Sequence, residues 1–243
     1  MAVTDHDTVA ALAEAGAACV ASGLALIPGI EITAIENGGD LHVLGYFIDQ
    51  ASVPLASFLE TQRRSRIERV KETAHRLVSL GMPIDVAPLL ADASRDDGRS
   101  IGRPQIARAL IAAGYALDTN DAFERWLGRG RPAFVPRSGA TAEEVIATIH
   151  EARGLASLAH PGLARVDARI MELCDAGLDA LEAYHPDHDP EARERYLQMA
   201  RAHGLLVTGG SDYHGDPAHG LSPGAVTLPA AEWERLSAWR PRS

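Results

Sequence analysis

Short apolar runs that alternate with helical segments constrain the fold of this chain more than any other feature. In its second half the runs LASLA, LDALEAY and LLVTG each follow a helical segment. The first of these segments opens with Thr141 and Glu144, which have the spacing of a capping box. Strands that alternate with helices in this way are typical of a parallel sheet or barrel. The sequence therefore predicts an α/β fold.

Two strand-like runs in the first half, LALIPGIEIT and LHVLGYFI, are joined by an Asn-Gly turn, which predicts a hairpin. The segment that follows, residues 56–137, is polar and helical and contains no run that reads as a buried strand. We therefore expect a core built from residues 1–55 and 138–243, with a helical insertion at 56–137.

Charge and composition exclude several classes of function. The net charge of -10 argues against a general nucleic-acid-binding surface, and so against duplex DNA as a partner, although a small basic pocket stays possible in principle. No apolar run is long enough to cross a membrane, and no charged-then-apolar leader is present. The two cysteines, Cys19 and Cys174, lack metal-ligand spacing and fit reduced thiols in a cytoplasmic protein.

Each strand-like run leads into a histidine or a carboxylate. The residues in these positions are His6, Glu31, His160, His185, Asp212 and His214. Because the carboxyl ends of parallel strands share one face, we expect these side chains to meet there. Imidazole and carboxylate are the usual ligands of Zn, Mn and Fe, so the pattern predicts a site with more than one metal ion.

Two local features refine this site. If the hairpin has a two-residue turn, Glu31 and His42 project from the same face, whereas a three-residue turn would break this parity. The glycines in GGSDYHG would let the loop that carries Asp212 and His214 approach a metal closely. His185, in YHPDHDP, has two open readings, a site residue or a simple polar loop residue like His188.

Seven motifs in order, TDHDT, PGIEIT, HVLGYFID, GRPQIARAL, VPR, LAHPG and SDYHG, resemble the PHP (polymerase and histidinol phosphatase) superfamily. Within it they are most similar to the 3',5'-nucleoside bisphosphate phosphatases, whose relatives include a 5'-to-3' exoribonuclease acting on short RNA. The resemblance implies a distorted (β/α)7 barrel with metals at the carboxyl ends of its strands and the insertion as a lid.

The resemblance also implies roles for single residues. The implied metal ligands, with Glu31 bridging, are His6, Glu31, His42, His160, Asp212 and His214. Arg103 and Arg137 match the phosphate-binding positions of the family, and guanidinium groups suit that role chemically. Gln105 would contact the substrate where the family usually carries histidine, and His185 is a candidate proton donor to the leaving group.

One departure from the family concerns its first strand. Family members begin with a strand that ends in a His-x-His pair followed by Ser-Asp-Gly, and this sequence contains no such segment before AVTDHDT. The resemblance thus implies a barrel that lacks its first strand. From this we expect substoichiometric metal content and an open sheet edge that favours a homo-oligomer.

The expected activity is metal-dependent hydrolysis of the 3'-phosphate of 3',5'-nucleoside bisphosphates, with short RNA degraded from its 5' end as a further expected reaction. Mn is the expected metal, with Zn, Fe and Mg as alternatives. Two other functions stay open, namely a non-catalytic module that binds metal or phosphate and a PHP phosphatase of another substrate such as histidinol phosphate.

Overall fold

The computed structural model describes residues 1–36, 38–93, 101–215 and 222–241. Within these ranges six strands form one sheet in the order of the sequence, and the sheet curls into a half-barrel. The strands are β1 (Ala2–Val3), β2 (Ile27–Glu36), β3 (Gly39–Tyr46), β4 (Leu155–Leu158), β5 (Ala180–Tyr184) and β6 (Leu206–Gly209).

The sheet is mixed. β1 pairs with β2 in parallel, and the pairs β4–β5 and β5–β6 are parallel as well. β3 runs antiparallel to both β2 and β4, because the tight turn after Glu36 reverses the chain. The predicted α/β class is confirmed, and the antiparallel pairing of β2 with β3 confirms the predicted hairpin. The (β/α)7 count and the absence of a first strand stay expectations.

Ten α-helices lie in the described part of the chain. They are α1 (Leu12–Ala21), α2 (Val53–Ser79), α3 (Ala87–Ala93), α4 (Arg103–Ala112), α5 (Thr119–Ala122), α6 (Ala142–Glu151), α7 (Pro161–Ala164), α8 (Ile170–Asp175), α9 (Pro190–His203) and α10 (Ala230–Ser237). A π-helical turn covers Phe123–Leu127, and a 3-10 turn covers Asp167–Arg169. None of the described helices is both long and apolar enough to cross a membrane.

The main hydrophobic core lies between the sheet and helices α6, α8 and α9. It includes Ile30 and Ile32 of β2, Ile146 and Ile149 of α6 and Tyr196 of α9, all fully buried. The predicted capping box at the start of α6 is confirmed. Thr141 Oγ1 accepts a hydrogen bond from the Glu144 N–H at 3.3 Å, and Glu144 Oε2 accepts one from the Thr141 N–H at 2.8 Å.

The helices between β3 and α6 have a second apolar cluster of their own. It includes Val70 and Leu77 of α2, Ile106 and Leu110 of α4, and Leu127. α2 begins at Val53, three residues before the proposed boundary, and its Leu55 still belongs to the main core. A long helix that joins two apolar clusters is the arrangement expected for an insertion at 56–137, and the division at that boundary stays our proposal.

Candidate metal centre

Glu31 lies at the centre of a cluster of histidines that come from distant parts of the chain. Its Oε1 lies 2.7 Å from His42 Nδ1 and 3.3 Å from His160 Nε2. Its Oε2 lies 3.7 Å from His6 Nδ1. One ligand atom from each of His6, Glu31 and His42 falls within 4.8 Å of the other two. The two carboxylate oxygens therefore face different imidazoles, which suits a ligand that bridges two ions.

The register of the hairpin explains why Glu31 meets His42. Glu36 pairs with Gly39, so two residues connect β2 to β3, and the first of them, Asn37, lies outside the described residues. Glu31 is opposite Leu44, and Thr33 is opposite His42. Because paired residues share a face, and alternate residues along a strand do too, the parity predicted for Glu31 and His42 is confirmed.

The loop after β6 completes the cluster. His214 Nε2 lies 3.3 Å from His6 Nε2, and Asp212 Oδ2 lies 3.4 Å from His185 Nε2. The His185 ring centroid is 5.4 Å from that of His160. The structure thus brings the six predicted metal-ligating residues and His185 together at the carboxyl ends of β1, β4, β5 and β6 and on the hairpin.

The charges in this cluster are strongly coupled. Burial alone would raise the pKa of Glu31, but hydrogen bonds from His160 and His42 and the charge of His6 hold it far below its ordinary value. The His185 imidazole, whose Nε2 lies 3.4 Å from Asp212 Oδ2 without a well-formed hydrogen bond, lowers the pKa of Asp212. Burial opposes the charged form of His160, yet its contacts with Glu31 raise its pKa. A negative carboxylate surrounded by imidazoles is thus favoured even before any cation binds.

His185 is buried beside this cluster and lies close to Asp212. Its burial and this contact favour the reading as a site residue, which stays a prediction. The Asp187 N–H donates to His185 Nδ1 at 3.1 Å, which leaves the proton of the neutral ring on Nε2, facing Asp212. His188 differs, because Ala183 O lies 3.1 Å from its Nδ1 and the Gly162 N–H donates to its Nε2, so it is a structural residue.

Two orphaned ring nitrogens test whether the site fits metal ions. Among the described residues, the buried atoms His160 Nδ1 and His185 Nε2 have no hydrogen-bond partner. Buried polar atoms without partners are uncommon in folded proteins and call for a ligand or a catalytic role. Together with a donor set of imidazoles and carboxylates, these atoms show that the residues present fit one or more divalent ions.

Two carboxylates that were not predicted as site residues form hydrogen bonds with the strands and loops that carry the site. Glu182 is buried, its Oε2 accepts the His160 N–H at 2.8 Å, and burial raises its pKa to about 7. Asp7 accepts hydrogen bonds from the N–H and hydroxyl of Thr33, both at 2.9 Å, and pairs with Arg66 of α2. The signal for Glu182 was a carboxylate inside the apolar run LDALEAY, but no sequence signal links Asp7 to Arg66.

Backbone geometry also marks the site. His160 and Asp212 have φ values of 26° and 45°, which are rare for residues other than glycine and concentrate at functional sites. Gly209 forms the irregularity where β6 pairs with Tyr184, and an added Cβ would lie 2.4 Å from Tyr184 Cβ. Gly209 therefore permits the close packing of β6 against β5, whereas the expectation that the loop glycines allow approach to a metal stays a prediction.

The predicted phosphate- and substrate-binding residues have contacts outside the histidine cluster. Arg137 donates to Asp40 Oδ2 at 2.7 Å, and Asp40 lies two residues before His42 on the same face of β3. The Arg103 guanidinium stands 5.6 Å and 5.7 Å from the ring centroids of Phe123 and Phe134. Gln105 accepts the Gly102 N–H at 3.0 Å and so supports the start of α4.

A cavity of about 800 Å³ opens beside the histidines, between the edge strands β1 and β6. His6, Glu31, His160, Asp212 and His214 contribute to its lining, along with apolar residues of both edges and of α10. A cavity of this size can hold a small-molecule substrate next to the metal-binding residues.

Comparison with known proteins assigns a class and a family. The chain is 34% identical over 223 residues to the 5'-3' exoribonuclease Rnm of Escherichia coli strain K12. This alignment covers 88% of the chain and 74% of that protein. It is 31% identical over 221 residues to the 3',5'-nucleoside bisphosphate phosphatase of Chromobacterium violaceum, with 88% and 76% covered. No family model matches.

The fold agrees with these relatives. A solved structure from Bifidobacterium adolescentis, described as a candidate metal-dependent phosphoesterase, superposes with a TM-score of 0.80 at 35% identity and covers 96% of this chain and 83% of that one. Fold and site together define a hydrolase of the metal-dependent phosphoesterase class. Within that class, the chain belongs to the PHP family of 5'-3' exoribonucleases and 3',5'-nucleoside bisphosphate phosphatases.

Proposed function

We propose that this protein removes the 3'-phosphate from 3',5'-nucleoside bisphosphates with the help of divalent ions, Mn being the expected metal. The observation that carries this proposal is the cluster of imidazoles around Glu31, with Arg137 bound to Asp40 on the same strand as His42. The name of the Chromobacterium violaceum relative supports the substrate class. The name of the Escherichia coli relative favours a second candidate, the degradation of RNA from its 5' end.

The residues that would hold the ions are those predicted from the sequence, namely His6, Glu31, His42, His160, Asp212 and His214. When bound, such ions would lower the pKa of a water molecule and stabilise the charge on the phosphoryl oxygens. The remaining tasks fall to other residues of the chain.

Binding and protonation are the tasks of His185 and the two arginines. The Nε2 proton of His185 points toward Asp212 and is available to a leaving alkoxide. Arg103 and Arg137 would bind phosphate oxygens of the substrate, either on the phosphate at the metals or on the second phosphate, and an incoming phosphate would compete with Asp40 for Arg137. Gln105 would help to position the substrate at the start of α4.

The insertion would act as a lid that excludes bulk water. Its Arg129 donates to Gly38 O at 2.5 Å, and its Arg137 binds Asp40, so two contacts join it to the tip of the hairpin that carries His42. A closed lid of this kind strengthens the electrostatic contacts inside a site. It also favours a small nucleotide or the end of a short RNA over a long duplex.

Phosphate release from adenosine 3',5'-bisphosphate, measured with and without Mn and with chromatography of the nucleoside product, tests the proposal. We expect Mn-dependent release that leaves adenosine 5'-monophosphate. Asp212→Asn should lower turnover about 100-fold or more, because it removes a ligand charge at nearly constant volume. Asp175→Asn is the matched control, since Asp175 is exposed at the end of α8, before the start of β5 and away from the histidines.

Three other results of these assays would each point to a different function. Equal turnover of histidinol phosphate would contradict the assignment to nucleotides. Shortening of a 5'-phosphorylated oligoribonucleotide, without action on the bisphosphate, would favour the exoribonuclease. If no substrate is hydrolysed in the presence of Mn, the proposed activity is wrong and a module that only binds metal or phosphate remains.

A further inference from the structure

An additional arginine, which the assignments above do not use, lies on α2 within the insertion and interacts electrostatically with Asp40 of the hairpin. Arg69 projects from α2, and Arg66, Arg69 and Arg103 line one small cavity at the start of α4. We use the name basic cluster for Arg69, Arg103 and Arg137. Arg66 is kept outside the cluster because it is buried against Asp7.

Each member of the basic cluster is held in place by a different neighbour. Arg69 Nε donates to Val135 O at 3.0 Å, in the segment just before Arg137. Arg103 stands over the rings of Phe123 and Phe134, and Arg137 is oriented by Asp40. Guanidinium groups that are fixed in advance lose little side-chain entropy when an anion binds.

The cluster carries more positive charge than its surroundings neutralise. Burial lowers the pKa of Arg69 to about 10, and the charges of Arg103 and Arg137 act in the same direction, while Asp40 opposes them. Burial and the charge of Arg137 likewise lower the pKa of Arg103. A chain with a net charge of -10 thus concentrates mutually repelling cations in one place, and a bound anion would relieve that repulsion.

The cluster lies to one side of the metal-binding residues. Asp40, which binds Arg137, and His42 are two positions apart on one face of β3, and two residues span about 6.6 Å along a strand. An anion held by the cluster is therefore separated from the centre where hydrolysis would occur.

We propose that Arg69, together with Arg103 and Arg137, binds the second, non-reacting phosphate of the substrate, so that Arg69 determines the preference for nucleotides with two phosphates. This inference rests on the proposed function, because it assigns the second phosphate of the same substrate. It adds a substrate-binding residue on α2 to that function. It also assigns the two phosphates to different sites, because the metal centre would bind the reacting phosphate and the basic cluster would bind the other one.

Calorimetric titration of the metal-free protein with adenosine 5'-monophosphate, which carries the non-reacting phosphate alone, tests the inference without turnover. We expect Arg69→Gln to weaken this affinity about tenfold, the loss expected for a charge-assisted hydrogen bond. Arg64→Gln, on the exposed side of the same helix, is the matched control and should bind like the wild type. Arg69→Lys should give an intermediate affinity, and it replaces Arg69→Gln if that variant fails to fold.

Kinetics supply the second measurement. With Mn, Arg69→Gln should raise KM for the 3',5'-bisphosphate about tenfold with kcat within about twofold, and it should leave KM for a nucleoside 3'-monophosphate unchanged. The inference is wrong if wild type and Arg69→Gln bind the 5'-monophosphate equally, if neither binds it, or if KM rises equally for both substrates. A failure of all turnover would refute the proposed function instead, and the calorimetric result would still decide the role of Arg69.

Discussion

At the scale of single residues, Glu182 couples the stability of the protein to pH. Burial raises its pKa to about 7 from an ordinary value of 4.5, so the folded state holds a proton that the unfolded state releases. Stability from this group is complete below about pH 4.5 and is lost as the pH rises through about 7. The direction is opposite to that of Glu31, whose pKa is lowered.

Glu182→Gln removes this buried charge and keeps an oxygen that can accept the His160 N–H. In metal-free protein at pH 8 we expect the variant to exceed the wild type in free energy of unfolding by about 3 kcal/mol, with the difference reduced to less than about 1 kcal/mol at pH 5. Urea unfolding at both pH values measures it, and Glu68→Gln, on an exposed face of α2, serves as control. A difference that is the same at both pH values would contradict this origin.

At the scale of elements, the position of the C-terminal end of β6 depends on one close contact with β5. An alanine Cβ at Gly209 would lie 2.4 Å from Tyr184 Cβ and 2.7 Å from Tyr184 O, so one strand must shift. We expect Gly209→Ala to lower the free energy of unfolding by about 1–3 kcal/mol. Because Asp212 and His214 follow directly, affinity for Mn should fall as well, and calorimetry can measure it.

A glycine in α1 provides the control, because its substitution by alanine should change the free energy of unfolding in the opposite direction. At Gly16 the nearest atom to an added Cβ is Leu26 Cδ2 at 3.7 Å, an ordinary contact, and the residue is helical. Gly16→Ala should raise the free energy of unfolding by about 0.4–1 kcal/mol and leave metal affinity unchanged. Similar effects of the two substitutions would show that the Tyr184 contact is not what matters at Gly209.

The elements also show where sequence reasoning succeeds and where it stops. The alternation of side chains along a strand has a fixed period, so the shared face of Glu31 and His42 followed from the length of the turn alone. The pairing of β3 with β4 joins residues more than a hundred positions apart, and nothing local specifies it. For the same reason the partnership of Asp7 with Arg66 and the burial of Glu182 emerged only from the packed structure.

At the scale of the whole molecule, charge is distributed unevenly. The net charge of -10 repels polyanions in general, yet Arg69, Arg103 and Arg137 converge at the junction of insertion and hairpin. A local basic site on an acidic protein selects small anions that fit the cavity and discriminates against extended nucleic acid. The composition predicted the exclusion of duplex DNA as a partner, whereas the position of the basic residues required the fold.

The candidate metal ligands also connect distant parts of the chain. His6 and His214 lie near opposite ends of the sequence, and their Nε2 atoms are 3.3 Å apart. A divalent ion held among these residues would bind the folded state and not the unfolded chain, so it must stabilise the whole fold. At a concentration about 100 times its Kd, one ion contributes about 2.7 kcal/mol, or roughly 5–10 °C in Tm for a chain of this size.

We therefore expect Mn to raise the Tm of chelator-treated protein by that amount and EDTA to reverse the change, as followed by circular dichroism. Glu31→Gln should abolish most of the shift, because the central carboxylate loses its charge and one of its two acceptor oxygens. Glu60→Gln removes an exposed carboxylate that pairs with Arg63 and Arg64 on α2, and it should preserve the shift. A Tm that does not respond to Mn in the wild type would contradict metal binding at this cluster, whatever the substrate proves to be.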